Sequence, residues 1–374
     1  LIGLLPEFSS PSLSLPVPSL ASFVLTLVLL PPYIRWLKER QLGQYIREEG
    51  PASHAGKART PTMGGLVFMP AAVLCAAVWL LWARALAVKP LLVLGIAVLC
   101  GGLGLVDDLA KFRRKANAGL SARARLLLEL SLGLVLGGAL VAACGTAYAF
   151  VPASIGSWLG LGGELSSIRL PVLFFLVVSG FFVAATSNAV NLHDGMDGLA
   201  AGTGAQVLAT MAVVLLATGQ WQLAAVAAAA AGSLAAFLLF NRYPAAVFMG
   251  DTGSLFVGGL MASLALAGGI EIWFVPLSLV YIVETISVML QVVYFKLTKE
   301  YTPETPMSKP ALIWLKLTKR LPGDGKRLFR MAPLHHHFEA VALEKGRQEW
   351  HVVACFWIVQ FLLCVLVLAL LPAS

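Results

Sequence analysis

Residues 91–106 read LLVLGIAVLCGGLGLV, and Asp107-Asp108-Leu109-Ala110-Lys111-Phe112-Arg113-Arg114-Lys115 follows at once. With Pro90 the apolar run is long enough to cross a bilayer, where a helix takes about 20 residues (range roughly 17–25). It ends in two carboxylates and four cations, which are costly in hydrocarbon and cheap at headgroup level. The chain therefore leaves the membrane here. Adjacent acids at such an exit can serve a metal, a general base or both, and the cations after them can hold an anionic head group. An interfacial helix cap flanked by positive charge is the plainer alternative.

The same apolar texture extends in both directions. Of 374 residues 59% are hydrophobic and 12% are charged, against roughly 25% charged in a soluble domain. Ten spans are predicted, at about 18–35, 63–83, 90–106, 126–145, 171–190, 199–218, 221–240, 253–270, 273–295 and 351–371. The fold class is thus all-α, a polytopic integral membrane protein forming a single domain over 1–374. Gly219-Gln220 and Gly268-Gly269 mark tight turns between spans. Residues 146–170 read as an external loop, and 298–330 as the main soluble insertion. Ala311–Arg320 fits a short amphipathic helix lying on the membrane, although a simple linker fits as well.

Charge sets the orientation. Connections at 36–62, 107–125, 241–252 and 296–350, with Arg35, carry 24 of the 27 Lys and Arg, and the opposite set carries Arg84, Lys89 and Arg169. The positive-inside rule then places the basic loops, together with 191–198, in the cytoplasm and both termini in the periplasm. The net charge of +8 suits anionic lipid headgroups and gives no reason to expect nucleic acid. Five scattered cysteines lack metal-ligand spacing and read as small buried hydrophobes. The first residues predict no removable signal peptide, so insertion is expected to use the first span.

Further polar words interrupt the apolar text on the same predicted face. Lys57 and Arg59 precede Thr60-Pro61-Thr62-Met63-Gly64-Gly65, without the order of a P-loop. In Asn188-Ala189-Val190-Asn191-Leu192-His193-Asp194-Gly195-Met196-Asp197-Gly198, three polar residues recur every third position. They share a face if the segment is helical, whereas Gly195 and Gly198 could break it and let backbone donors approach a ligand. Asn241 opens a segment that ends Phe248-Met249-Gly250-Asp251-Thr252-Gly253-Ser254. There Asp251 could hold a metal or cap a helix, and Phe248 could stack on a base. Consecutive His335, His336 and His337 do not point to one side of a helix and define no zinc site. His351 and Glu284 read as structural. Together these features indicate a membrane enzyme for a phosphorylated, metal-bound substrate. A transporter would instead call for paired repeats or acids deep in broken spans.

Five of these words, Pro61–Gly65, Val106–Asp108, Asn188–Ala200, Phe248–Ser254 and Phe329–Glu339, occur in the order found in bacterial phospho-N-acetylmuramoyl-pentapeptide transferases. The chain resembles that family, within the polyprenyl-phosphate N-acetylhexosamine-1-phosphate transferase superfamily, and Pro333–Phe338 separates it from relatives using other amino-sugar donors. The resemblance implies transfer of phospho-MurNAc-pentapeptide from UDP-MurNAc-pentapeptide to undecaprenyl phosphate, giving lipid I and UMP, with Mg2+ required. It implies a protein of the bacterial inner membrane, embedded among membrane lipids, whose active site faces the cytoplasm; the family forms homodimers. It also implies Asp251 as metal ligand and Asp107, Asp108, Asp194, Asn191 and His335 as catalytic-site residues. Lys57, Thr62, Lys111, Arg125, His336 and His337 match positions around the substrate phosphates and sugar, and Gly195, Met196, Asp197, Asn241 and Phe248 match the nucleoside region. Departures are His193 and Met196 where Thr and Leu are familiar, Arg125 where Lys is common, a longer stretch before Phe329, and no Gly-Trp-Pro-Glu-Pro after Glu339.

Overall fold

The computed structural model describes residues 13–40, 60–114, 119–145, 147–152, 165–301, 307–319 and 321–371. Helices α1 (Pro16–Glu39), α2 (Gly65–Trp82), α3 (Val88–Arg114) and α4 (Ala122–Cys144) come first. A hairpin of β1 (Ala147–Pro152) and β2 (Leu165–Leu170) separates them from α5 (Val172–His193), α6 (Leu199–Ala217), α7 (Trp221–Asn241) and α8 (Gly250–Gly268). Then follow α9 (Glu271–Leu277), α10 (Leu279–Leu297), α11 (Lys309–Thr318), α12 (Leu334–Glu344) and α13 (Glu349–Ala369). Among the described residues ten helices are long and apolar enough to cross a membrane: α1 to α8, α10 and α13. The protein is an all-α, multi-pass membrane protein with one small hairpin among the described residues.

Local chemistry sets the ends of these helices. Ser121 caps α4, its Oγ accepting from Ala124 N at 3.3 Å, and Gly145 ends it in the left-handed region. α5 starts directly after Pro171. The predicted ninth span is interrupted at Ser278, which divides it into α9 and α10. Residues 146–170, expected as a loop, contain the antiparallel hairpin, with Ala147 opposite Leu170 and Pro152 opposite Leu165. Phe150 N donates to Gly269 O at 2.6 Å, so the hairpin is fastened to the turn after α8. The amphipathic helix expected at 311–320 is present as α11, with Trp314 and Ile313 exposed and no residue buried. Cys144 and Cys355, read as buried, are exposed on helix surfaces.

α8 is the most deeply enclosed span, followed by α7 and α6. It packs along α3, and α7 packs on α1, α2 and α6. Small residues allow this, since helices in lipid associate through close backbone approach rather than hydrophobic segregation. Ala224–Ala231 of α7 is buried throughout. Ser22 Oγ donates to Ala229 O at 2.6 Å, and Ser233 Oγ, 2.8 Å from Thr26 Oγ1, donates to Phe68 O at 2.6 Å. Phe68, Phe237 and Phe256 fill the space below the α8 N-terminus, with the Phe68 and Phe237 ring centroids 4.9 Å apart. The polar words collect above this floor.

Candidate active site

The acids expected in a loop at 107–125 lie in the last two turns of α3, because the helix continues to Arg114. Lys111, one turn after Asp107, shares its ammonium between Asp107 Oδ2 at 2.7 Å and Asp251 Oδ2 at 2.6 Å. Asp107 Oδ1 accepts from Leu120 N at 2.6 Å. Asp108 points the other way and accepts from Asp251 N at 3.1 Å, Thr252 N at 2.9 Å and Thr252 Oγ1 at 2.7 Å. It therefore caps α8 from a neighbouring helix, a favourable place for an anion. One acid of the pair faces the cluster, and the other fixes the helix carrying Asp251.

Two elements, α4 and α5, complete the ring around Asp251. Asn191, in the last turn of α5, donates from Nδ2 to Asp251 Oδ1 at 2.9 Å. Its Oδ1 accepts from Arg125 Nη2 at 2.9 Å. Arg125 also lies 3.5 Å from Asp251 Oδ2 and 3.2 Å from Glu129 Oε1. Glu129 is fully buried and takes a further bond from Asn188. Sequence reasoning missed this second layer, although an acid inside an apolar span four residues after Arg125 is a signal. Glu129→Ala leaves a largely buried guanidinium with one partner fewer. The expected cost is about 3 kcal/mol, read as a lower melting temperature in detergent, with Glu129→Gln intermediate. An unchanged melting temperature for Glu129→Ala would show that Arg125 is held without it.

Two sequence words meet here as backbone. Phe248 N donates to Pro61 O at 2.8 Å, Gly64 N to Phe248 O at 2.8 Å and Gly65 N to Met249 O at 3.0 Å. Gly250 has φ +75°, and a Cβ on it would lie 2.9 Å from Asp108 Oδ2 and 3.2 Å from Thr62 Oγ1. Glycine thus makes the turn into α8 without displacing the cap. Thr62 stands beside the cluster, while Lys57 lies outside the described residues.

The face shared by Asn191, Asp194 and Asp197 does not form, because α5 stops at His193 and Gly198 turns left-handed at φ +78°. The chain is instead stitched to its surroundings. Asp197 N donates to Glu349 Oε1 at 2.9 Å, and Asp197 Oδ2 accepts from Ala245 N at 2.9 Å. Asn241 joins Gly198 N at 3.1 Å to Val247 O at 2.9 Å, so its amide supports the backbone of the expected nucleoside region. Met196 is buried in a small cluster with Leu199 and Val353. A cavity of about 500 Å³ opens beside Asp197, with Tyr243, Glu339, Arg347 and Glu349 in its wall.

Burial, then the negative charges of Asp251, Asp108 and Asp197, push the Asp194 carboxyl up to about 8. An unfolded carboxyl near 3.8 releases its proton first, so between about pH 4 and 8 the folded state binds more protons. Its contribution then lowers stability as pH rises through that window. In chelator, Asp194→Asn should flatten the fall in melting temperature from pH 5 to 8; an unaltered slope would assign it to other groups.

The three histidines diverge. His335 is fully buried; its backbone N donates to Glu284 Oε1 at 3.1 Å, and its Nδ1 lies 3.2 Å from Glu284 Oε2. His336 Nδ1 lies 2.9 Å from Glu339 Oε2, and His337 Nδ1 accepts from Arg330 N at 3.2 Å. A Cβ on Gly195 would collide with the His335 ring, so that glycine lets the α12 histidines close over the turn. Glu284, expected as structural, joins His193 and His335 in a group whose ligand atoms lie within 4.8 Å of one another and could hold a metal ion.

Residues 90–269, which include α5, α8 and most of α3, match the family model described as Glycosyl transferase family 4. A phospho-N-acetylmuramoyl-pentapeptide-transferase of Geobacillus sp. (strain WCH70) is 36% identical over 345 residues, covering 92% of this chain and 94% of the relative. One from Desulforudis audaxviator (strain MP104C) is 39% identical over 353 residues, covering 93% and 95%. One from Desulforamulus reducens (strain ATCC BAA-1160 / DSM 100696 / MI-1) is 39% identical over 345 residues, covering 91% of each. These matches extend over nearly the whole chain, and the chain belongs to the phospho-N-acetylmuramoyl-pentapeptide-transferase family.

Proposed function

We propose that the protein transfers phospho-MurNAc-pentapeptide from UDP-MurNAc-pentapeptide to undecaprenyl phosphate, releasing UMP and leaving lipid I in the bacterial inner membrane. The observation that carries this reading is the convergence of Asp107 and Asp251 on one ammonium, with Asn191 and Arg125 beside Asp251. Such a site handles phosphate by balancing fixed charges. The relatives named for this transfer support the choice of substrates. The excess of Lys and Arg in one set of loops supports a cytoplasmic active site and periplasmic termini.

The donor set fits Mg2+. Asp107 and Asp251 offer the hard oxygens that ion prefers, and Lys111 already marks a place for positive charge between them. Asp251 would be the principal ligand, and bound Mg2+ would neutralise phosphate charge and polarise the reacting phosphorus. Lys111 and Arg125 add fixed positive charge where two anionic substrates must meet. A lipid phosphate oxygen forms the new P–O bond to the sugar-linked phosphorus; the bond to the UMP oxygen breaks, and its electron pair leaves with UMP. Both Asp107 oxygens are engaged, by Lys111 and Leu120 N. These bonds support an orienting role for Asp107. Asp194, whose carboxyl is pushed up by burial and by the charges of Asp251, Asp108 and Asp197, is assigned to the same cluster. Asp108 acts through the helix it caps. Thr62, Lys57, His336 and His337 are assigned to phosphate and sugar, and Gly195, Met196, Asp197, Asn241 and Phe248 to the nucleoside end.

Donor choice tests the reading. Purified protein given undecaprenyl phosphate should form a lipid-linked product from UDP-MurNAc-pentapeptide and none from UDP-GlcNAc. The reverse preference would move the chain to the sister transferases.

A further inference from the structure

His193 closes α5, Glu284 lies in the second turn of α10 and His335 is near the start of α12. Their exposures are 0%, 1% and 0%. Among the described residues neither ring nitrogen of His193 has a hydrogen-bond partner, and Nε2 of His335 also lacks one. Buried polar atoms left in this way are costly and rare, and three of them meet in one place. Tyr281 and Phe356 wall the His193 ring, with centroids at 4.9 and 5.7 Å, and the His335 ring meets it at 6.0 Å.

The spacing suits a cation. One possible ligand atom from each residue lies within 4.8 Å of the other two. His335 Nδ1 and Glu284 Oε2 are 3.2 Å apart, against roughly 3.3 Å for the edge of a zinc tetrahedron whose bonds are about 2.0 Å. Small side-chain shifts would bring His193 onto the same centre. Two imidazoles with one carboxylate select a borderline transition ion over Mg2+, which prefers oxygen and water.

We propose that His193, Glu284 and His335 form a transition-metal site for a zinc-class dication, distinct from the carboxylate cluster around Asp251. Bound metal gives one orphaned ring nitrogen of His193 a partner and balances the Glu284 charge. It also ties α5, α10 and α12 together. His193 immediately precedes Asp194, and the His335 ring packs on Gly195, so the metal fixes the turn between α5 and α6. Its role is positional, and its binding does not depend on which donor or acceptor the enzyme uses.

Co2+ is the probe. The full-length protein is made with a tag that binds no metal, purified in detergent, stripped with chelator and titrated with Co2+. The expected result is one Co2+ per chain with a visible ligand-field band of tetrahedral strength, displaced by stoichiometric Zn2+ and unaffected by millimolar Mg2+. His193→Gln and Glu284→Gln should each lose the band, and Asp251→Asn should keep it. Zn2+ should raise the melting temperature of the stripped wild type and leave that of folded Glu284→Gln unchanged. No such band from wild type overturns the proposal even where a variant fails to fold. A band that survives both substitutions, or vanishes with Asp251→Asn, overturns it too.

Discussion

Asp251→Asn should insert and fold yet lose turnover by about a hundredfold to a thousandfold, the range for removing a preorganised electrostatic partner of a transition state. Asp251 accepts from Lys111 at 2.6 Å and Asn191 at 2.9 Å and lies 3.5 Å from Arg125. Asn keeps the shape and removes the charge. The two cations then face a neutral amide, and the oxygen donor best placed for Mg2+ is gone. Insertion should persist because the ten apolar spans owe nothing to this carboxylate. The check is initial-rate turnover beside size-exclusion behaviour and a melting curve. A folded Asp251→Asn protein with a rate within threefold of wild type would remove Asp251 from the chemistry.

Gly104→Ala should be severely damaging for a change of one methyl group. A Cβ there would run into the Asp251 carbonyl and come within 2.7 Å of Thr252 N. The obstacle is backbone at the start of α8, so no side chain can swing aside. Overpacking of this kind costs about 1–3 kcal/mol, and relief requires α3 and α8 to separate. Separation carries Asp107 and Lys111 away from Asp251 and withdraws Asp108 from its cap. A shift of about 1 Å at a reacting centre can cost roughly a hundredfold in rate. Gly102→Ala is the control, since its Cβ meets nothing within 4 Å. Gly104→Ala should lower both melting temperature and turnover while Gly102→Ala changes neither; equal behaviour of the two would show that the α3–α8 contact is looser than its geometry.

The spans were legible because lipid forces long apolar runs, and their polar ends exposed the site. The Asp-Asp pair shows where that reading stops. From sequence the two acids are equivalent, yet Asp107 bonds Lys111 in its own helix while Asp108 caps a helix that begins 142 residues later at Gly250. Local capping rules cannot see a cap supplied from elsewhere in the chain. The pairing of Pro61–Gly65 with Phe248–Met249 is hidden for the same reason, being made by backbone groups distant in sequence. His193, Glu284 and His335 come from three helices, and none of their spacings is a metal motif. The hairpin at 147–152 and 165–170 was obscured by Gly, Ser and Pro residues that favour turns. Glu129 was within reach, for an acid inside an apolar span requires a partner, and Arg125 stands one turn before it.

Phosphoryl transfer at Asp251 is tested by measuring UMP and lipid I together from purified wild-type protein across a Mg2+ titration. Equal amounts of both products, rising with Mg2+ and abolished by chelator, are the result expected from phosphoryl transfer at Asp251. Folded protein that forms neither product at any Mg2+ concentration, or both at full rate in chelator, would contradict it.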